Sequence, residues 1–233
     1  MAKRIVVTGA AGFIARNLVA ELNARGCDNL LLVDSLGRDG KWHNLVGLEF
    51  EDILEPAAFL DCLVAGKLSN ADAILHLGAC SSTTERDADF LLRNNYQYTR
   101  TLCEWSLEKD IRFVYASSAA TYGDGSNGYS DATPLQTLQP LNMYGYSKHM
   151  FDLWADKHKH FNRVAGLKYF NVYGPYEDHK GDMRSMVNKA YAQIKETGKV
   201  RLFKSCASGY ADGEQMRDFI YRSEERRVGK ECA

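Results

Sequence analysis

Two kinds of hydrophobic pattern alternate along this chain. Short, nearly unbroken apolar runs ("RIVVTG", "NLLLVD", "ADAILHLGA", "IRFVYASS", "VAGLKYFNVYG") are separated by longer stretches whose apolar residues recur three and four apart. The short runs predict strands buried on both faces, and the longer period predicts helices. In order, the pattern predicts a strand at "RIVVTG", a helix over "FIARNLVAELNARG" ending at Gly26, and a strand at "NLLLVD". A short third strand at "GLEFED" and a helix over 56–65 follow. Next come a fourth strand at "ADAILHLGA", one long helix over "DADFLLRNNYQYTRTLCEWSLEKD" and a fifth strand at "IRFVYASS". A helix from 144 to about 161, a single sixth strand at "VAGLKYFNVYG" and a helix from about 182 to 196 complete the order. Strands alternating with helices predict an α/β fold built on a parallel sheet covered on both faces.

The chemistry sits at the junctions. The first strand runs into "TGAAGFIA", with Gly9, Gly12 and Ala15 in a G-x-x-G-x-x-A pattern. Glycines there let the backbone turn tightly and approach a pyrophosphate at a helix N-terminus, which predicts a Rossmann-type doubly wound sheet holding a dinucleotide. Asp34 ends the second strand, where an acid can accept the ribose 2′-hydroxyl of NAD. Arg38 and Lys41 follow closely and could instead hold the 2′-phosphate of NADP, so spacing leaves both cofactors open. Ser117 and Ser118 close the fifth strand. Tyr144 and Lys148 in "YGYSK" are four apart and share a helix face. A phenol beside an ammonium and a serine hydroxyl can exchange a proton with an alcohol while hydride passes to a nicotinamide.

Charge and cysteine content narrow the alternatives. The 233 residues are 45% apolar and 25% charged, with a formal net charge of −1. That balance offers no electrostatic case for nucleic acid or an anionic membrane. The apolar run near the start is too short for a signal peptide or a membrane span. Six cysteines, at 27, 62, 80, 103, 206 and 232, form no CxxC pair, which predicts reduced thiols in a cytoplasmic protein without zinc. His158 and His160 stand two apart on an expected helix and so would not share a face.

"TGAAGFIA", "SSAATYG", "YGYSK" and "FNVYGP" together resemble the extended short-chain dehydrogenase/reductase family. Within it, "LGACSSTTERD", "LNMYGYSK", "YFNVYGPYEDHKG" and "RDFIY" are similar to the ADP-L-glycero-D-manno-heptose 6-epimerases, over residues 3–221. The resemblance implies a homo-oligomeric sugar-nucleotide epimerase of lipopolysaccharide core biosynthesis. It would oxidise C6 of an ADP-heptose with tightly held NADP and return the hydride to the other face. Ser118, Tyr144 and Lys180 of "HKG" match the catalytic groups, and Lys148 matches the ribose anchor that lowers the tyrosine pKa. Gly9, Gly12, Phe13, Ile14, Asp34, Ser35, Lys41, Leu77, Gly78, Ala79, Cys80, Ser81, Asn94, Val172 and Lys180 match cofactor contacts, with Lys41 favouring NADP over NAD. Asn171, Asp182, Lys189, Phe203, Lys204, Ser205 and Arg217 lie where the family grips the ADP-sugar. The implied division is a cofactor domain over 1–170 and a partial substrate region over 171–221. The charged stretch "RSEERRVGKECA" at 222–233 fits no family continuation and reads as a non-native tail. A dehydratase would need an acid that Ser118-Ala119-Ala120 lacks. A nucleotide-sugar 4-epimerase and an inactive NADP-binding fragment are the alternatives.

Overall fold

The computed structural model describes residues 3–68, 70–205, 209, 211–216 and 218–222. It divides into two compact units, Met1–Tyr169 and Phe170–Ala233.

The first unit is a six-stranded parallel sheet in the order β3-β2-β1-β4-β5-β6. Its strands are β1 (Ile5–Thr8), β2 (Leu30–Val33), β3 (Asp52–Leu54), β4 (Ala73–His76), β5 (Arg112–Ser118) and β6 (Val164–Tyr169). The strand order reverses between β1 and β4, and open α/β sheets bind ligands in the crevice beyond such a reversal. Alternate residues serve opposite faces. Val6, Leu31 and Val33 pack with Phe59, Ile74, Leu102, Phe113 and Phe151 on one side. Val7, Leu30 and Leu32 pack with Ala15 and Val19 on the other. The expectation of two covered faces fails only at the outer edge, where Ala165, Gly166 and Leu167 of β6 are exposed.

The helices begin where local chemistry starts them. Pro56 opens α2 (Pro56–Val64), where its missing N–H costs nothing. Asp87 caps α3 (Ala88–Leu91) through the Phe90 amide. Asn142 caps α5 (Met143–Lys157) through the Gly145 amide at 2.8 Å. In contrast, Gly12 caps α1 (Phe13–Ala24) with no side-chain partner, leaving amide donors at the end that faces the reversal.

Several predicted elements are altered. The long helix is interrupted by a π-helical turn, Leu92–Gln97, between α3 and α4 (Tyr98–Glu108). The third strand lies at Asp52–Leu54, not across "GLEFED", because its residues pair with Leu31 to Val33. The helix begun at 143 stops at Lys157, and Lys159 turns into left-handed backbone. That turn brings the His158 and His160 rings face to face, 5.6 Å apart, so the two histidines do share a surface.

The second unit contains β7 (Asn171–Tyr173), α6 (Met186–Thr197) and β8 (Phe219–Tyr221). The predicted single strand over "VAGLKYFNVYG" is therefore two. β6 pairs with β5 as far as Ser118↔Tyr169, where β5 ends, and β7 pairs in parallel with β8 instead. Within "RDFIY" the strand is Phe219–Tyr221, with Phe219 exposed and Ile220 and Tyr221 half-buried. Helix α6 begins at Met186, not 182, because Ser185 caps it through Asn188, and 178–183 form a 3₁₀ turn. Of the expected tail, only Arg222 belongs to the described residues.

Candidate active site

At the strand reversal the backbone itself is the site wall. Gly9 has φ +68, and a Cβ there would lie 2.6 Å from the Gly78 Cα. A Cβ on Gly12 would lie 2.9 Å from the Gly9 carbonyl oxygen. Only glycine allows the two strand ends to close together beside the uncapped start of α1. That cradle fits a pyrophosphate, whose charge the free amides and the helix dipole would hold.

Asp34 secures this loop from the side. Its Oδ2 accepts from the Ala11 amide at 2.8 Å, and Asn44 Nδ2 donates to the Ala11 carbonyl at 2.8 Å. The other carboxylate oxygen accepts from Lys41 Nζ at 2.6 Å and from the Ser35 amide. Asp34, Ser35 and Lys41 thus meet at one point, and Lys41 neutralises the acid. Phe13 is buried and Ile14 half-buried at the start of α1.

A buried hydrogen-bond chain connects the cradle to the π turn. The Gly78 amide donates to Thr8 Oγ1 at 3.1 Å, and Thr8 lies 2.6 Å from His76 Nδ1. On the far side, His76 Nε2 lies 2.8 Å from Thr99 Oγ1, which donates to the Asn95 carbonyl at 2.6 Å. Because the Thr99 proton is committed to Asn95, His76 Nε2 must donate and Nδ1 must accept. Burial, with the Lys148 charge second, lowers the His76 pKa to about 3. The unfolded chain binds a proton near 6.5, so it gains protons first as pH falls. Stability is full above 6.5 and is lost progressively down to about 3, a total on the order of 4–5 kcal/mol. Urea midpoints measured across this window should show that loss in the parent and a flatter limb in His76→Gln. Equal slopes would refute the assignment.

The π turn presents Asn95 inward. Its Oδ1 accepts from the Cys80 amide at 2.9 Å, and its Nδ2 donates to the Cys80 carbonyl at 2.9 Å and to Ser147 Oγ at 3.0 Å. Ser147 in turn donates to the Tyr144 carbonyl at 2.7 Å. Asn95 therefore ties the loop after β4 to the helix carrying Tyr144. Sequence reasoning named its neighbour Asn94, which donates to Asn95 Oδ1 at 3.0 Å. The available signal was a polar residue on the inward stripe of an otherwise apolar helix face.

Side-chain alternation along β5 separates the two serines. Ser117 Oγ donates to Asp152 at 2.8 Å, alongside Tyr115 and Lys168, so it belongs to a structural hub between β5, β6 and α5. Ser118 faces the other way, with its hydroxyl near enough to the Tyr144 phenol to influence its proton affinity. Burial raises the Tyr144 pKa, the Ser118 hydroxyl opposes that shift, and Cys80 adds slightly to it. The expectation that the lysine lowers the tyrosine pKa is not what the structure shows, since burial raises it and Lys148 is not among the influences on it. Lys148 is itself buried, its Nζ donates to the Ala116 carbonyl at 2.8 Å, and burial lowers its pKa to about 8. Burial acts on both groups, favouring the neutral form of each. At neutral pH the phenol therefore keeps its proton, and Lys148 is the group whose proton exchange lies nearer neutrality.

Leu77, Ala79 and Ser81 follow β4 in the first unit, and the other candidates belong to the second. Asn171 and Val172 lie on β7, with the Asn171 side chain donating to the Asp218 carbonyl at 2.9 Å. Lys180 and Asp182 lie on the 3₁₀ turn before α6, and Lys189 Nζ donates to the Asp182 carbonyl. Phe203 and Lys204 are exposed, and the Ser205 amide donates to Asp212 at 2.7 Å. Arg217 lies outside the described residues. Among the described residues no group of histidines, cysteines or acids could hold a metal ion, and no helix is long and apolar enough to cross a membrane.

Comparison with known proteins follows the same outline. The ADP-L-glycero-D-manno-heptose-6-epimerase of Nitratidesulfovibrio vulgaris strain Hildenborough is 55% identical over 218 residues, spanning 93% of this chain and 68% of the relative. The enzyme of the same name from Fusobacterium nucleatum is 50% identical, over 93% of this chain and 67% of its own length. The chain thus spans about two thirds of the length of these relatives. Among solved structures, the Helicobacter pylori ADP-L-glycero-D-manno-heptose-6-epimerase superposes with a TM-score of 0.79 at 30% identity, covering 96% of this chain and 70% of that one. UDP-glucuronic acid 4-epimerase from Bacillus cereus, solved in complex with NAD, also reaches 0.79 at 27% identity, over 98% and 72%. The profile of the NAD dependent epimerase/dehydratase family matches residues 5–224. By that profile and by these relatives, this chain belongs to the NAD dependent epimerase/dehydratase family.

Proposed function

We propose that the chain carries the cofactor site and the acid–base groups of an ADP-glycero-manno-heptose 6-epimerase, an isomerase of lipopolysaccharide core biosynthesis acting in the cytoplasm with bound NADP. The observation that carries this reading is the glycine cradle, in a chain that also sets Ser118 near the Tyr144 phenol and is 55% identical to a protein of that name. The nicotinamide, when bound, supplies reversible hydride acceptance at C6 of the heptose. Tyr144 exchanges the proton of the C6 hydroxyl, Ser118 hydrogen-bonds the reacting oxygen, and Lys148 holds the ribose and passes protons to the phenol. Lys180 is the second base, on the evidence of its match to "HKG"; burial lowers its pKa and the nearby Glu177 opposes that. Gly9, Gly12, Phe13 and Ile14 hold the pyrophosphate, and residues 77–81 with Asn94 and Val172 line the nicotinamide half. Asn171, Asp182, Lys189, Phe203, Lys204, Ser205 and Arg217 bind the ADP-sugar.

The test is a chain extended with the C-terminal third of the Nitratidesulfovibrio relative, given ADP-glycero-manno-heptose and followed by NMR at C6. Inversion at C6 supports the reading. Inversion at C4 of UDP-sugars, without reaction at C6, would replace it with the 4-epimerase alternative.

The choice of NADP rests on Lys41, whose Nζ is already gathered at Asp34 where a 2′-phosphate would add its charge. A charged hydrogen bond of about 1.5–3 kcal/mol corresponds to roughly tenfold to a hundredfold in affinity. Lys41→Ala should weaken NADPH binding by at least tenfold in a fluorescence titration while leaving NADH nearly unchanged. Parent protein binding NADH as tightly as NADPH would overturn the preference.

A further inference from the structure

The segment between β7 and α6 has an unusual backbone. Tyr176 adopts φ +76 although it is not glycine, and Gly174 and Gly181 also lie at positive φ, +153 and +53. A bulky residue held there costs on the order of 1–3 kcal/mol and persists only where surrounding contacts over-determine it. The next residue is a buried carboxylate. Glu177 is 1% exposed. Its Oε1 accepts from the Gly174 amide at 3.2 Å and from Ser185 Oγ at 2.8 Å, and its Oε2 accepts from the Ser185 amide at 2.6 Å.

Those partners stand at the two ends of the loop that carries Lys180. Gly174 follows β7, and Ser185 is the cap of α6, its Oγ also accepting from the Asn188 amide at 3.1 Å. The Lys180 amide donates to the Glu177 carbonyl at 3.0 Å, so the same residue sets the start of the 3₁₀ turn. Three other charged side chains of the loop and of α6 have partners of their own. Asp178 accepts from Asn188, Arg184 Nε donates to the Gly181 carbonyl, and Lys189 donates to the Asp182 carbonyl. Glu177 thus joins the two ends of the loop.

We propose that Glu177 is a positioning residue, whose carboxylate closes the loop between Gly174 and Ser185 and so holds Lys180 in place. The proposal deepens the reading of Lys180 as second base and rests on it for its functional meaning, though not for its test. Closing the loop keeps Lys180 out of water, and burial is the larger of the two influences on its proton affinity, ahead of the opposing Glu177 charge. The two influences therefore separate by sign. If Glu177 holds the loop, Glu177→Gln opens it, because the amide sets a donor against the Gly174 or Ser185 donors. Lys180 is then hydrated and its titration midpoint rises toward the ordinary lysine value. If Glu177 acts only as a nearby charge, the loop stays shut and the midpoint falls.

The midpoint can be read on the 233-residue chain by competitive acylation across pH, with Lys180 quantified by mass spectrometry. Hydrogen exchange at the loop amides gives a second measurement. The expected result is a higher midpoint and exchange at least tenfold faster over 174–185 in Glu177→Gln. Ser185→Ala, which keeps the carboxylate's charge, should move both readouts the same way by less. An unchanged or lower midpoint, or unchanged exchange, overturns the proposal. A Glu177→Gln chain that does not fold leaves the decision to Ser185→Ala, where unchanged exchange counts against it. Whether Lys180 is a base at all is decided separately, by C6 inversion in the extended Lys180→Ala chain.

Discussion

Tyr144→Phe, made in the extended chain, is expected to lower C6 inversion by roughly 10²–10⁴-fold, the contribution of a positioned acid or base. The change removes one oxygen from a half-buried ring, so the packing of α5 survives. Ser118 keeps the Ala120 amide, which donates to its Oγ at 3.1 Å. Cofactor affinity should therefore stay within a few-fold of the parent. Loss of turnover with binding intact is the expected pair of results, measured by single-turnover kinetics and fluorescence titration on one preparation. Near-parental turnover would remove Tyr144 from the chemistry. The pH profile carries a further mark. Because burial raises the Tyr144 pKa and lowers that of Lys148 to about 8, the activity should rise through a limb near 8, and Lys148→Met should displace it.

Gly9→Ala is expected to have the second large effect, on binding and stability together. The new methyl would lie 2.6 Å from the Gly78 Cα, 2.7 Å from its nitrogen and 2.9 Å from the Leu77 carbonyl carbon, all backbone atoms that cannot swing aside. Left-handed backbone at a residue bearing a Cβ costs about 1–2 kcal/mol. Forced overlap in a packed interior adds ~1–3 kcal/mol. The strand ends must separate, and the cradle widens. Nicotinamide-cofactor binding should fall by more than tenfold and the thermal midpoint should drop by several degrees. Gly26→Ala is the matched control, with φ +76 but nothing within 4 Å of the added methyl. It should lose stability from the backbone alone and bind cofactor normally. Equal behaviour of the two variants would show that the Gly9–Gly78 approach is not what shapes the site.

Local patterning made much of the first unit readable. β1, β2, β4 and β5 are apolar on both faces because the sheet is covered on both faces there, so continuous runs marked them clearly. Glycines at 9 and 12 were visible because no other residue type tolerates that turn and approach. The i, i+4 spacing of Tyr144 and Lys148 was legible because a helix cap, Asn142, starts α5 just before them. Where partners came from far along the chain, reading failed. β6 and β7 look continuous in sequence, and only the end of β5 and the arrival of β8 divide them.

Electrostatic character was hidden for the same reason. Spacing placed an ammonium beside a phenol and implied that the charge would lower the phenol's pKa. Burial by other segments decided otherwise, since desolvation depends on everything packed around a group and not on its neighbours in sequence. The roles of His76, Asn95 and Glu177 were likewise invisible. Each is an ordinary polar residue until folding brings Thr8 and Thr99, Cys80 and Ser147, or Gly174 and Ser185 within hydrogen-bond distance. The chain's own order of residues determined its strands, its glycine loop and its tyrosine–lysine pair, because those depend on interactions a few residues apart. The tertiary structure alone decided which serine meets the phenol, how strongly each group holds its proton and what closes the loop around Lys180, because those depend on contacts between distant segments and on the water they exclude.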